Sequence, residues 1–426
     1  MELTVLLLAL FGLLAIGVPV AFALLGSSLL TFAVLDLPMV VAFQRMAAGM
    51  NIFALIAIPF FVFAGDLMHR AGIARRIVEV AEAVFGRARG GLGQVNVGAS
   101  MMFGAVSGSA IASVSALGST LMPMMKERGY DPDYAVNVTA CAAITGLLIP
   151  PSHNMIIYAA AAGTGVSVAD LFLAGVVPGL LTGVLLMAVA WAVAVRRGYP
   201  AGSFPGWGAV WRAAVAALPG LMTAVIIMGG VLGGIFTPTE SSAVAVIYTV
   251  VIAVLVYRSM GWEGFLLAAT GAVRTTAMVM LIIGAAAVFG WALALLEAPA
   301  QLTAMIQSIS EDPAVIMLVI NLALLLLGTF MDMAPLIVIT TPILLPVALS
   351  IGVDPVHFGI IMMLNLGIGL VTPPVGSVLF VGTAIGRITV EQAVRTIWPF
   401  YLALVTALAL VTYVPSLSLA LPQAFR

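Results

Sequence analysis

Apolar residues run along this chain in long unbroken stretches, with neither the alternation of strands nor the one-sided stripe of surface helices. A helical membrane crossing needs about 20 such residues. Nine stretches meet that length, near 3–31, 51–69, 133–161, 171–195, 213–233, 239–257, 275–297, 356–385 and 397–420. Two further stretches, 91–126 and 313–349, are too long for one crossing. Each has a polar or glycine-rich middle, "GAVSGSAIAS" (104–113) and "GTFMDMAP" (328–335). They predict re-entrant hairpins that dip into the membrane and return, a form tolerated only where protein or a water-filled cavity surrounds the backbone. Two of the crossings are interrupted by proline pairs, "GLLIPPSHN" (146–154) and "GLVTPPVGS" (369–377). Adjacent prolines remove two backbone donors and clash with the preceding turn, so 133–161 and 356–385 are expected to be broken helices. Residues 70–90 place apolar residues at helical spacing beside basic ones and predict an amphipathic arm at the interface. Residues 262–276 fit a second arm or an ordinary cytoplasmic loop.

The charges orient these elements. With the N-terminus inside and both hairpins returning, Arg70, Arg75, Arg76, Arg87, Arg89, Lys126, Arg128, Arg196, Arg197, Arg212, Arg258, Arg274, Arg387 and Arg395 fall on the cytoplasmic side. Only Arg45 and Arg426 of the 16 basic residues fall outside, together with the C-terminus. This agrees with the positive-inside rule. Five crossings separate the hairpins, so the second is inverted relative to the first. Displacing the chain by 223 residues aligns Leu121, Pro123, Gly129, Asp131, Pro132, Gly146, Leu147, Pro150 and Pro151 with Leu344, Pro346, Gly352, Asp354, Pro355, Gly369, Leu370, Pro373 and Pro374, nine identities over 31 ungapped positions. The expected fold is an all-α polytopic membrane protein with an inverted repeat, two re-entrant hairpins and two broken helices. Paired broken helices in inverted repeats are the mark of secondary transporters.

Composition narrows the class. The chain of 426 residues is 63% hydrophobic and 8% charged, against roughly 25% charged in soluble domains. The start, "MELTVLLLALFGLLAIGVPVAFALLGSSLL", lacks a basic leader and reads as an uncleaved first span. A single cysteine, Cys141, excludes an intrachain disulfide and a cysteine metal cluster. No dinucleotide, P-loop, HExxH or GxSxG motif is present, so an enzyme is not expected. The surroundings expected from composition are a lipid bilayer, not nucleic acid.

A broken membrane helix presents free carbonyls at one half-helix end, which suit a hard cation such as Na+. The opposing N–H groups suit an anion. Each half pairs a break with a hairpin tip: "SGS" (107–109) with "IPPSHN", and "FMDMA" (330–334) with "VTPPVGS". Two cation sites flanking one substrate site follow. The candidate cation groups are Ser107, Ser109, Gly146 and Pro150 in the first half, and Asp332, Gly369, Thr372 and Pro373 in the second. The candidate substrate groups are Gly108, Ser152, Asn154, Ala334, Gly376 and Ser377. Asp332 carries the most weight, because acids inside the membrane are costly. His153 reads as a capping or packing residue, since its repeat partner is Gly376. Asp66 and His69 read as interfacial, Glu240 as a helix cap or paired group near the outer interface, and Asp131 and Asp354 as turn or helix-start residues.

The segments "GGIFTPTESSAVAV", "FGAVSGSAIASVSALGSTLMPMM", "GLLIPPSHNMIIYA" and "GLVTPPVGSVLFV" resemble the large membrane subunit of tripartite ATP-independent periplasmic (TRAP) transporters, in order and over essentially the whole chain. The resemblance implies Na+-coupled import of a carboxylate-containing organic acid across a bacterial inner membrane. It also implies two partners, a small four-helix membrane subunit and a periplasmic substrate-binding protein. The small subunit is not expected to be fused here, as the first apolar helix begins at residue 3. The implied mechanism is an elevator. A scaffold (1–70 and 196–297) would hold a moving body built from 91–195 and 298–396, with 71–90 as an arm and 397–426 as a C-terminal span. The alternatives are a one-component Na+/divalent-anion symporter and a structural or assembly subunit that translocates nothing. An unaided channel fits oppositely oriented hairpins less well.

Overall fold

The computed structural model describes residues 2–163 and 165–425; Arg426, expected outside, lies beyond them. Among the described residues the elements are helices, apart from one antiparallel bridge between Arg89 and Ala201. Six helices are individually long and apolar enough to cross a membrane, and two bent pairs bring the number to eight.

Packing sorts the helices into two bodies. One contains Glu2–Ala15, Val20–Val34, Val40–Met50, Ala57–Arg70, Trp207–Leu232, Pro238–Val251 and Trp262–Leu295. The other contains both hairpins, both broken helices, Val168–Arg196, and the C-terminal helices Val390–Thr396, Trp398–Tyr413 and Ser416–Phe425. Two short helices join them, Ile73–Phe85 and Ala298–Ile309.

The first hairpin is Gly91–Ser107 and Ala110–Glu127. Gly108 turns it at φ +61°, a conformation that costs other residues energy, and the Ser109 hydroxyl caps the returning helix by accepting from Ala112 N at 3.3 Å. The second hairpin is Pro313–Gly328 and Met333–Ser350. Its first helix starts on Pro313, capped by Asp312, whose carboxylate accepts from Ala314 N at 2.8 Å. Proline at the first helical position recurs at Pro132 and Pro355. Asp354 caps its helix as expected, accepting from Val356 N and His357 N. Asp131 makes no such cap and instead binds Arg197 at 2.9 Å and accepts from the Tyr199 hydroxyl at 2.6 Å. Glu240 forms a capping box with Thr237.

Three expected elements differ. Residues 3–31 are not one crossing. Gly17 (φ +85°) and Pro19 end one helix and start another. The two fold back on each other, so that a Cβ on Gly26 would stand 3.1 Å from Leu13 Cδ1. Each is about 21 Å long at 1.5 Å per residue, and Glu2 and Val34 stand at the same end of the pair. Residues 397–420 are likewise divided, at Val414 and Pro415, into Trp398–Tyr413 and Ser416–Phe425. Residues 262–276 are not a separate arm, but the first part of the 34-residue helix Trp262–Leu295. Ala298–Ile309, which precedes the second hairpin as Ile73–Phe85 precedes the first, occupies the position of a second arm.

Candidate functional site

Each hairpin lies on a broken helix through a pair of glycines whose backbones touch. At the first crossing, a Cβ on Gly104 would stand 2.2 Å from Gly146 Cα. At the second, a Cβ on Gly369 would stand 2.6 Å from the Gly328 carbonyl carbon and oxygen. Gly146 and Gly369 are repeat partners; Gly104 and Gly328 are offset by 224, because the second tip is one residue shorter. Neither Gly104 nor Gly328 stands out in an ungapped comparison.

The first tip sits directly on the first break. A Cβ on Gly108 would lie 2.7 Å from the Pro151 carbonyl and 3.3 Å from Ser152 Cα. Ser107 Oγ lies 3.3 Å from Ser113 Oγ, and Ser113 Oγ donates to the Ser109 carbonyl at 2.8 Å. The break divides Pro132–Ala143 and Thr145–Leu148 from His153–Ala162 with a bend of 50°, and the Pro150–Pro151 bond is cis. Pro150 and Pro151 have no N–H, so the Gly146 and Leu147 carbonyls lack their usual helical donors. Ser152 is fully buried, and its hydroxyl has no hydrogen-bond partner. Asn154 is buried in the first turn of the second half-helix, which His153 begins.

The second tip meets the second break by a hydrogen bond: Val375 N donates to the Thr329 carbonyl at 3.0 Å. Asp332 occupies the N-cap position of Met333–Ser350 but makes no side-chain cap; its Oδ1 accepts from Ser377 Oγ at 3.5 Å. Ala334 lies in that helix's first turn. The Pro373–Pro374 bond is also cis. Thr372 Oγ1 donates to the Ile368 carbonyl at 2.8 Å, and Gly376, at φ +36°, starts Ser377–Gly386. The broken helices cross where Gly367 lies against Ile144 and Leu147. The two sites therefore share one centre and differ in surroundings. Ser107 and Ser152 are buried, and the neighbouring body reaches the first tip, with a Cβ on Gly65 placed 3.4 Å from the Ser107 carbonyl. Asp332 is exposed, as are Phe330 and Val375 beside it.

Among the described residues no three His, Cys, Asp or Glu side chains gather to hold a metal ion. What the breaks offer is backbone carbonyls and side-chain hydroxyls. The family described as "Tripartite ATP-independent periplasmic transporter, DctM component" matches residues 7–417.

The chain belongs to this family. It is thus the large membrane component of a TRAP transporter, a permease subunit and not an enzyme. Membership implies a small membrane subunit and a periplasmic binding protein as partners. It is 44% identical to the uncharacterized protein YgiK of Salmonella typhimurium over 98% of both chains. It is 41% identical to the C4-dicarboxylate TRAP transporter large permease protein DctM of Pseudomonas aeruginosa over 85% of each. It is 39% identical to the sialic acid TRAP transporter large permease protein SiaM of Vibrio cholerae over 86% of this chain and 85% of that one. The crystal structure of the Alcanivorax borkumensis YdaH transporter superposes with a TM-score of 0.64 over 87% of each chain at 13% identity, a likeness of fold alone.

Proposed function

We propose that this DctM-family permease imports a carboxylate-containing organic acid across the bacterial inner membrane, coupled to Na+, by an elevator movement of the body that carries the hairpins. The observation that carries this reading is the first break, where proline-orphaned carbonyls and the partnerless Ser152 hydroxyl lie buried under the Gly108 tip. A buried hydroxyl without a partner is costly, and a cation at this point relieves it. In the second half, the exposed Asp332 carboxylate faces Ser377 across the tip and break. The N-termini of His153–Ala162 and Ser377–Gly386 give the substrate carboxylate N–H groups and favourable dipoles.

The elevator part draws support from the contact between the bodies. A cavity of about 180 Å³ lies between them, lined by Gly49, Ala160, Ala161, Ala286, Ala287 and Gly290 among others. The larger Ile52, Ile157, Ile283, Val338 and Pro342 complete the lining, and the open gap between the bodies suits sliding. Loaded hairpins lie flat on their breaks, so Na+ and substrate bias the body towards movement through differential affinity. With the basic loops kept cytoplasmic, the fold-back of the first two helices returns the N-terminus to the periplasmic side, opposite to the expectation from a single crossing. The C-terminus remains periplasmic.

Uptake of labelled C4-dicarboxylate and sialic acid into proteoliposomes under an inward Na+ gradient tests the reading. Uptake should require this chain, the small subunit and a binding protein, and should vanish when K+ or choline replaces Na+. Unchanged uptake in K+ would end the coupling claim, and uptake by this chain alone would make it a one-component symporter.

A further inference from the structure

In an intact helix the Val371 carbonyl would accept from the N–H of Val375. Here Val375 N donates to the Thr329 carbonyl of the hairpin tip at 3.0 Å, and Pro373 and Pro374 have no N–H to offer. The Leu370 carbonyl has found another donor, Val378 N at 3.0 Å. Val371 is fully buried, so water cannot serve it, and a buried carbonyl without a donor is unfavourable. Its donor is the hydroxyl of Tyr401, at 2.6 Å. Tyr401 stands on Trp398–Tyr413, a helix that packs on Pro355–Gly369 and belongs to neither hairpin.

The loop of the second break is therefore fixed on both flanks. Val371 is held by Tyr401 and Val375 by Thr329. Between them lie Thr372, Pro373 and Pro374, the last two without an N–H of their own. A cation site requires its oxygens to hold position to within about 0.5 Å. The first break is built differently. The repeat partner of Val371 is Leu148, and its carbonyl abuts the backbone of Gly175, where a Cβ would stand 2.2 Å away. Gly175 lies on Val168–Arg196, the counterpart of the Tyr401 helix. Equivalent helices thus lie against the same carbonyl in both halves, by close backbone approach in one and by a phenol's hydrogen bond in the other.

We infer that Tyr401 is a positioning residue for the second cation site, acting through the Val371 carbonyl and the adjoining Thr372 side chain. The inference rests on the sodium-coupled reading above. Tyr401→Phe removes one hydroxyl and keeps the ring. The test is the Na+ dependence of uptake by the reconstituted three-component transporter. Half-saturating Na+ should rise about tenfold and the Hill coefficient should fall. The rate at saturating Na+ and the substrate KM measured there should stay within twofold. Tyr413→Phe, on the same helix but bonded to the Ala314 carbonyl at 3.1 Å, should leave the Na+ curve unchanged. If Y401F does not accumulate in the membrane, Y401M, also without a donor, carries the same test. A Y401F or Y401M curve that superimposes on the native one overturns the inference, as does a fall in maximal rate with no shift in half-saturating Na+. Native uptake indifferent to Na+ would instead overturn the sodium-coupled reading itself.

Discussion

Gly104→Ala adds one methyl group where the first hairpin crosses the first broken helix. That methyl would stand 2.2 Å from Gly146 Cα and 3.0 Å from Gly146 N, where ordinary contacts are 3.4–4 Å. Both obstacles are backbone, so no side chain can rotate away. The hairpin must rise by about 1 Å or more, and interiors packed at crystal density do not absorb that locally. Overpacking of this kind costs about 1–3 kcal/mol. The strain falls four residues from Gly108, which itself rests on the Pro151 carbonyl and Ser152, so it opens the gap between tip and break where the cation is proposed to bind. If that cost is met from cation binding, about 1–3 kcal/mol becomes a rise of roughly 5- to 150-fold in half-saturating Na+. The assay is Na+-dependent uptake in proteoliposomes, with thermal unfolding in detergent as a check on folding. Gly369→Ala, which meets three Gly328 backbone atoms between 2.6 and 2.7 Å, should behave alike. Gly328→Ala, at 3.2 Å from Gly369 Cα, should be milder, and Gly229→Ala, with nothing within 4 Å, should be neutral. Native Na+ dependence and rate in folded Gly104→Ala would refute the reasoning, because the crossing would then not set the site.

Asp332→Asn keeps the shape of the tip and removes its charge. Half-saturating Na+ should rise by an order of magnitude or more, with little change in thermal stability, and an unshifted Na+ curve would remove Asp332 from the cation site. Arg197, bonded to Asp131 at 2.9 Å and Asp133 at 2.8 Å with its side chain 26% exposed, should act on stability alone. Arg197→Ala should cost about 1–2 kcal/mol after allowance for solvent screening, seen as a lower unfolding temperature with unchanged half-saturating Na+.

The breaks and tips were legible because each is a local violation: two prolines, or a run of serine, glycine or aspartate, inside an apolar stretch. Nothing but a special structure tolerates these in a membrane. The N-terminal fold-back was missed because apolarity does not distinguish one 29-residue crossing from two short helices, although Gly17 and Pro19 mark the turn. The helix in the place of a second arm, Ala298–Ile309, contains no basic residue, so it lacks the pattern that marks 70–90. The Gly104 and Gly328 contacts were hidden by a one-residue difference in tip length. Tyr401 reaches a carbonyl 30 residues away, and a long-range hydrogen bond leaves no periodic trace in sequence.

The inverted repeat copies the backbone and not the chemistry. Both halves place a glycine of the hairpin on a glycine of the broken helix, and both bring the following helix against the same carbonyl. Upon that shared frame the first half has a buried hydroxyl without a partner, and the second an exposed carboxylate and a phenol. A neutral, sealed set of oxygens binds a cation by replacing its hydration shell. A charged, exposed one attracts it by field and holds it less rigidly. Ser152→Ala should therefore weaken Na+ binding in a manner nearly independent of ionic strength. The effect of Asp332→Asn should shrink as choline chloride is raised at fixed Na+, because salt screens an exposed charge more than a buried site. Equal salt dependence in the two variants would mean that the two halves hold their cations by the same physics, and the difference in their surroundings would then be incidental.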